Sequence, residues 1–380
     1  MIDGMALIAP AVFDGDTMHR DTALVIAAGR VQGLVPINAL PKGLPSRVVE
    51  AAVLAPGFVD WQVNGGGGVL LNDVPTVEGV RTIAQAHARF GTTALLPTVI
   101  TDAQTVTERA ADTVGAAIAA GVPGIVGIHF EGPHISTQKN GVHDARFIRP
   151  LAASDIARLT RSDLGVVVAT LAPECVDLDD IALLAAQGVI VSLGHSAADF
   201  ERATAAFSAG ARAVTHLFNA MSGLHHREPG LAGAALANPA VFCGLIADGH
   251  HVHPAMLDLV ARTGPVGRLT LVTDAMSSVG CAADTFELNG RTVRREGGRL
   301  TVADGTLAGS DLDMASAVRF MVERCGVALP AALAMASRAP AALLGLSDRG
   351  HLRRGASADI VALNADLTVA SVLIGGRPIP

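Results

Sequence analysis

The chain has 380 residues, of which 50% are hydrophobic and 17% charged, and its formal net charge is −7 at pH 7. This size and apolar content call for a large buried core, with room for one big domain and a smaller one. The negative charge excludes nucleic acid as a default partner, and no apolar run approaches the roughly 18 residues of a membrane span.

Aromatic residues are scarce and tyrosine is absent, so the core must be built from Ala, Val, Leu and Ile. The four cysteines, Cys175, Cys243, Cys281 and Cys325, are widely spaced and form no CxxC pair. They read as reduced thiols of a cytoplasmic protein. No amino-terminal stretch has the basic-then-apolar form of a signal peptide.

In chain order, residues 1–55 open with short alternating pieces, Ala23–Ile26 and Arg30–Leu34, around a glycine turn. Eight apolar runs follow: Phe58–Asn64, Thr93–Val99, Ile125–Glu131, Val166–Leu171, Val189–His195, Ala213–Leu217, Val241–Ala247 and Leu269–Asp274. Continuous apolarity of this length fits parallel strands buried on both faces. Amphipathic segments separate them, among them Val77–Phe90, Ala103–Ala120, Leu178–Gln187 and Ala198–Ala209. Each of these four ends on a glycine (Gly91, Gly121, Gly188, Gly210) suited to close a helix in the left-handed conformation. Eight such units predict a (β/α)8 barrel of the TIM type. A doubly wound open sheet is the alternative, but Gly65–Gly68 is not a GxGxxG turn.

Residues 286–307 read as hairpins with Asn289-Gly290 as a turn. Residues 352–380 contain two further strand candidates, Asp359–Leu363 and Ser371–Ile374. The expected organisation is a small β-sandwich domain from 1–55 plus 350–380, and a barrel over 56–349 with a β-hairpin insertion near 283–308.

Polar residues interrupt these runs at one end. Gln62 and Asn64 close the first run, Glu131 the third, His195 the fifth, His216 the sixth, and Asp274 the eighth. Glu174 lies just past the fourth, and Asp248 and His251 at or beyond the seventh. In a barrel of this type the strand carboxyl ends surround one mouth. One carboxylate and two imidazoles, Glu131, His195 and His216, make a three-ligand set that suits one divalent cation per chain. Zn2+ is the first choice, and Fe2+, Mn2+ and Co2+ are also compatible.

Asp274 reads either as a helix N-cap or, beside a metal, as a general base and acid. His143, in a loop after the third run, reads as a group that polarises a carbonyl or binds a hydroxyl, or else as a solvated loop residue. Arg227 is a natural anion fork, or else a surface partner of Glu228. Asn219 and Ala220 follow His216 directly and must line the same mouth. His129 points inward and reads as support. His225, His226, His250 and His253 read as exposed, and Asp60, His19, His87 and His351 as structural.

These motifs resemble the amidohydrolase superfamily and, within it, the N-acetylglucosamine-6-phosphate deacetylase family. The resemblance rests on Pro56-Gly57-Phe58-Val59-Asp60, the His-Phe-Glu-Gly-Pro run at 129–133 and Leu193-Gly194-His195-Ser196. It also rests on Thr215-His216-Leu217-Phe218-Asn219-Ala220-Met221, Arg227-Glu228-Pro229-Gly230, Ala247-Asp248-Gly249 and Thr273-Asp274-Ala275. It spans essentially the whole chain. One departure from the superfamily is informative. Many members carry His-x-His at the end of the first strand, where this chain has Gln62 and Asn64, and Glu131 stands in place of a bridging modified lysine. A single metal is therefore expected.

The resemblance implies hydrolysis of N-acetylglucosamine 6-phosphate to glucosamine 6-phosphate and acetate, in amino-sugar catabolism and cell-wall recycling. Asp274 would act as general base and acid and His143 as stabiliser of the oxyanion. Val142, His143, Asn219, Ala220, Arg227, Asp248, His251, Leu307, Ala308 and Gly309 would contact the substrate. A homodimer is expected, with Arg227 acting in its own or a neighbouring subunit. The rival readings are another single-metal amidohydrolase, such as a cyclic amidase or deaminase, and a non-catalytic sugar-phosphate sensor.

Overall fold

The computed structural model describes residues 4–265 and 267–379. Its centre is an eight-stranded parallel sheet in sequential order. The strands are Phe58–Val63 (β1), Thr92–Ile100 (β2), Gly127–Glu131 (β3), Val166–Leu171 (β4), Ile190–Leu193 (β5), Ala213–Val214 (β6), Phe242–Leu245 (β7) and Leu269–Leu271 (β8). Nearly every residue in them is buried, as a sheet covered on both faces requires.

Seam contacts between β1 and the chain after β8 close the sheet into a barrel. Val63 bridges Ala275 in parallel, and Asp274 N donates to Gln62 O at 2.9 Å. The buried Asp60 carboxylate accepts Thr273 Oγ1 at 2.6 Å and Gln62 N at 3.2 Å, which pins the same seam. Helices cover the outside. Val77–Ala88, Gln104–Ala119, Leu178–Ala186 and Phe200–Ser208 occupy the four expected amphipathic segments. Gly91, Gly121, Gly188 and Gly210, at their ends, all have positive φ.

Both termini build two packed sheets. One has four strands, Arg30–Pro36, Thr22–Ala27, Met5–Ile8 and Ser46–Val48. The other has six, combining Ala11–Phe13, Met18–Arg20 and Val53–Pro56 with Ile360–Leu363, Val369–Ile374 and Arg377–Pro378. Leu7, Val12, Leu24, Ile26, Leu54 and Ile360 pack in one cluster of this sandwich. Strand Val53–Pro56 runs almost directly into β1, which ties the sandwich to the barrel. After β8, Thr285–Leu288, Arg291–Glu296 and Arg299–Thr301 form an antiparallel sheet. Asn289 and Gly290, with φ of 53° and 71°, form its first turn.

Candidate active site

Three site residues leave their strands by the same local device. His195, His216 and Asp274 have φ of 47°, 33° and 52°. The left-handed region costs a non-glycine residue about 1–2 kcal/mol. Here it turns each side chain out of the ladder and into the barrel mouth, an expense typical of functional sites.

Glu131, on the last residue of β3, meets both imidazoles. Its Oε1 lies 3.0 Å from His216 Nε2 and 3.3 Å from His195 Nε2, and the two nitrogens are 3.1 Å apart. All three residues are buried. His195 Nδ1 donates to the Lys139 carbonyl at 2.9 Å, so His195 Nε2 presents a lone pair. A carboxylate oxygen and an imidazole lone pair facing one another at this range lack the protons to satisfy each other. The donor set therefore fits a divalent cation, and its ligand atoms all lie within 4.8 Å of one another. Burial raises the Glu131 carboxyl, but the imidazoles of His195 and His216 outweigh it and hold the group well below its ordinary range. Burial lowers the proton affinity of His216, and Glu131 more than reverses this, so a cation taken up by the three groups would displace a proton from that imidazole.

Asp274 stands across the site. Asn64 Nδ2 donates to its Oδ1 at 2.8 Å and Gln62 Nε2 to the same oxygen at 3.1 Å. Gln62 Nε2 also donates to Glu131 Oε1 at 3.0 Å. Burial, with Glu131 adding to it, pushes the Asp274 carboxyl up to about 6. His143 packs on His195 with ring centroids 4.3 Å apart. Burial and then His195 push it down to about 3, so the ring is neutral. His143 Nδ1 is 2.8 Å from Thr101 Oγ1, while the Glu131 carbonyl is 3.4 Å from that hydroxyl. A Thr101 hydroxyl that gives its hydrogen to the nearer partner leaves His143 Nε2–H for the cavity, and this is the tautomer on which a donor role for His143 depends.

Glu131, His143, His195, His216 and Asp274 line one cavity of about 360 Å³, together with Asn64, Val142, Asn219, Ala220, His251, Leu307 and Gly309, while Gln62 and Thr101 stand behind its wall. Three expected contacts lie elsewhere. Asp248 stands behind His251, with Oδ2 2.6 Å from its Nδ1, and orients that ring. Ala308 is fully buried in the cluster under the β-insertion. Arg227 is exposed on the loop 223–228, away from the cavity wall of its own chain. Glu174 is also outside: it accepts Ser196 Oγ at 2.7 Å and Ala197 N at 2.6 Å, and so holds the loop after β5. His129 is sealed in the barrel, with Nε2 2.7 Å from Thr170 Oγ1.

Sequence reasoning missed Thr101, Ile100, Gln138, Lys139, Met276 and Thr306, which support or line the cavity. Thr101 follows directly on β2, so strand-end position alone could have found it. Lys139 acts on His195 through a backbone carbonyl, which no side-chain pattern reports.

A buried Glu–His–His cluster and an acid at the mouth of a (β/α)8 barrel define a class, the metal-dependent hydrolases that work on amide-like bonds. The model of the Amidohydrolase family matches residues 53–379, and the chain belongs to that family. The N-acetylgalactosamine-6-phosphate deacetylase of Shewanella sp. (strain ANA-3) is 47% identical over 88% of this chain and 84% of that protein. The crystal structure of N-acetylglucosamine-6-phosphate deacetylase from Pasteurella multocida superposes with a TM-score of 0.95 at 30% identity, covering 99% of both chains. A mutant of N-acetyl-D-glucosamine-6-phosphate deacetylase from Mycobacterium smegmatis, in complex with N-acetyl-D-glucosamine-6-phosphate, superposes at 0.92 with 33% identity over 99% of each chain.

Proposed function

We propose that this protein hydrolyses the acetamide of N-acetylglucosamine 6-phosphate, giving glucosamine 6-phosphate and acetate. The observation that carries the reading is the convergence of Glu131, His195, His216 and Asp274 on one cavity. Glu131, His195 and His216 would hold one divalent cation, Zn2+ by ligand type. When bound, that cation would supply Lewis acidity to the acetyl carbonyl and acidify water.

The chain's own residues divide the remaining work. Asp274 takes a proton from the attacking water and returns it to the sugar nitrogen as the C–N bond breaks. Burial, the largest cause of its raised proton affinity, suits Asp274 to hold that proton until the nitrogen takes it. His143 Nε2–H donates to the carbonyl oxygen as it gains negative charge. His251, held by Asp248, faces the sugar phosphate with Asn219, Ala220, Leu307 and Gly309, and Val142 packs beside them. A sensor has no use for a proton-moving acid, and a neutral cyclic amide has no use for an anion fork.

Among the residues lining the cavity only Lys139 is Lys or Arg, too little charge for a phosphate dianion. We infer that Arg227 reaches the cavity of a second copy in a homodimer, because its own loop points it into solvent. The four free cysteines suit a reducing cytoplasmic setting, and among the described residues no helix is long and apolar enough to cross a membrane.

The test is acetate release from N-acetylglucosamine 6-phosphate, its galactosamine epimer and the unphosphorylated sugar, with and without chelator. The expected result is release from a phosphorylated sugar, loss on chelation and recovery with about one equivalent of Zn2+ per chain. Activity that survives exhaustive chelation, or that needs two equivalents, would sink the single-metal reading. Equal rates on the unphosphorylated sugar would sink the phosphate assignment.

A further inference from the structure

Gln62 and Asn64 lie two residues apart at the end of β1, so both side chains face the mouth. Their amino groups converge on one atom, Asp274 Oδ1, at 3.1 Å and 2.8 Å. Their amide oxygens, Gln62 Oε1 and Asn64 Oδ1, are sealed from solvent and have no hydrogen-bond partner. Protein cores rarely leave such acceptors orphaned. Turning either amide over offers no relief, since it would press an amide oxygen against a carboxylate oxygen. The orphans are thus the cost of aiming both amino groups at Asp274, and a local violation of this kind marks a functional constraint.

The other carboxylate oxygen is different. Asp274 Oδ2 has no partner among the described residues, is not among the sealed atoms, and belongs to a residue that lines the cavity. Gln62 Nε2 also reaches Glu131 Oε1 at 3.0 Å, so one amide spaces the two carboxylates. An amide N–H is too weak an acid to protonate either.

We propose that Gln62 and Asn64 are positioning residues that commit Asp274 to one working oxygen. They saturate Oδ1 with donors and leave Oδ2 as the atom that takes and returns the proton. The pair closes β1 and aims the proton-moving group. This rests on the reading of Asp274 as that group.

The test compares Asn64→Asp, which keeps the side-chain size but replaces the donor by an acceptor, with Asn64→Ala and Gln62→Met, which remove donors without adding charge. Wild type and Asp274→Asn run alongside. Metal content, kcat, KM and the solvent deuterium isotope effect are measured on N-acetylglucosamine 6-phosphate, and a crystal structure of Asn64→Ala locates the Asp274 carboxylate. Each variant should lose at least about tenfold in kcat with KM within about threefold, as expected when an interaction is needed only in the transition state. About one metal per chain should be retained, the isotope effect should grow, and the carboxylate should rotate in Asn64→Ala. Variants within about threefold of wild type in kcat would overturn the proposal, as would metal lost in parallel with activity or an unmoved carboxylate. If Asp274→Asn itself were as active as wild type, the underlying reading would fail first. An inactive Asp274→Asn beside fully active Asn64 and Gln62 variants would defeat the positioning role alone.

Discussion

Two buried carboxyls on the barrel seam show how environment divides residue roles. Asp274 and Asp60 are both pushed up by burial, to about 6 and about 7. Asp274 opens onto the cavity, whereas Asp60 is fully buried and spends its oxygens on Thr273 and Gln62. The proton affinity of Asp274 serves chemistry, while that of Asp60 becomes a stability term. A folded carboxyl raised above its ordinary value of 3.8 favours the folded state at low pH. That contribution is complete below the unfolded value and is lost as pH rises through about 7. Asp60→Asn removes the titration and keeps an acceptor for Thr273. The difference in urea midpoint between the variant and wild type should therefore shift in favour of the variant between pH 5.5 and pH 8, about the window that the raised group titrates in. Parallel pH profiles would show that Asp60 carries no such linkage.

Close strand contacts dictate small residues at the element scale. A Cβ on Gly127, at the start of β3, would lie 1.9 Å from the Val166 carbonyl oxygen of β4. Neither backbone can yield without opening the ladder that carries Glu131 four residues further on. Gly127→Ala should cost about 1–3 kcal/mol or more, as overpacking does. It should be read as a lower urea midpoint together with weaker metal retention, and an unchanged midpoint would refute the packing argument. The strands themselves were legible because burial on both faces makes each an apolar run, and the helix ends because a left-handed closing residue selects glycine. Strand ends were not. The runs Ala213–Leu217, Val241–Ala247 and Leu269–Asp274 continue past the observed Val214, Leu245 and Leu271. Leu217, Ile246, Ala247 and Val272 stay fully buried in the mouth loops, so hydropathy carries on after the ladder has stopped. What ends β6 and β8 is a turn, marked by positive φ at His216 and Asp274, and apolar periodicity is blind to φ. The convergence of Glu131, His195 and His216 was legible from position because strand ends meet in a barrel. Thr101 and the Lys139 carbonyl were not, because their roles depend on which partner a single proton meets.

On the scale of the whole molecule, a net charge of −7 repels an anionic substrate, so recognition of a phosphate must be local. One chain supplies His251 and Lys139 at the cavity and holds Arg227 in solvent, on a loop that also exposes Leu224 at 51%. A twofold dimer would answer both facts, covering the exposed loop and lending its arginine across the interface. The reading separates the two halves of a site by subunit, and that makes it testable by mixing. Arg227→Ala alone should lower kcat/KM on the phosphorylated sugar by roughly tenfold or more, the loss of a charge-assisted bond. Asp274→Asn alone should be inactive. Unfolded together and refolded as mixed dimers, the two variants should regain activity. In a mixed dimer the subunit with intact Asp274 borrows Arg227 from its partner, while the other site lacks both. With half the dimers mixed and one site complete in each, the recovered activity should approach about a quarter of wild type. If Arg227 works within its own chain, mixing creates no complete site, and the refolded mixture stays at the average of the two variants measured alone.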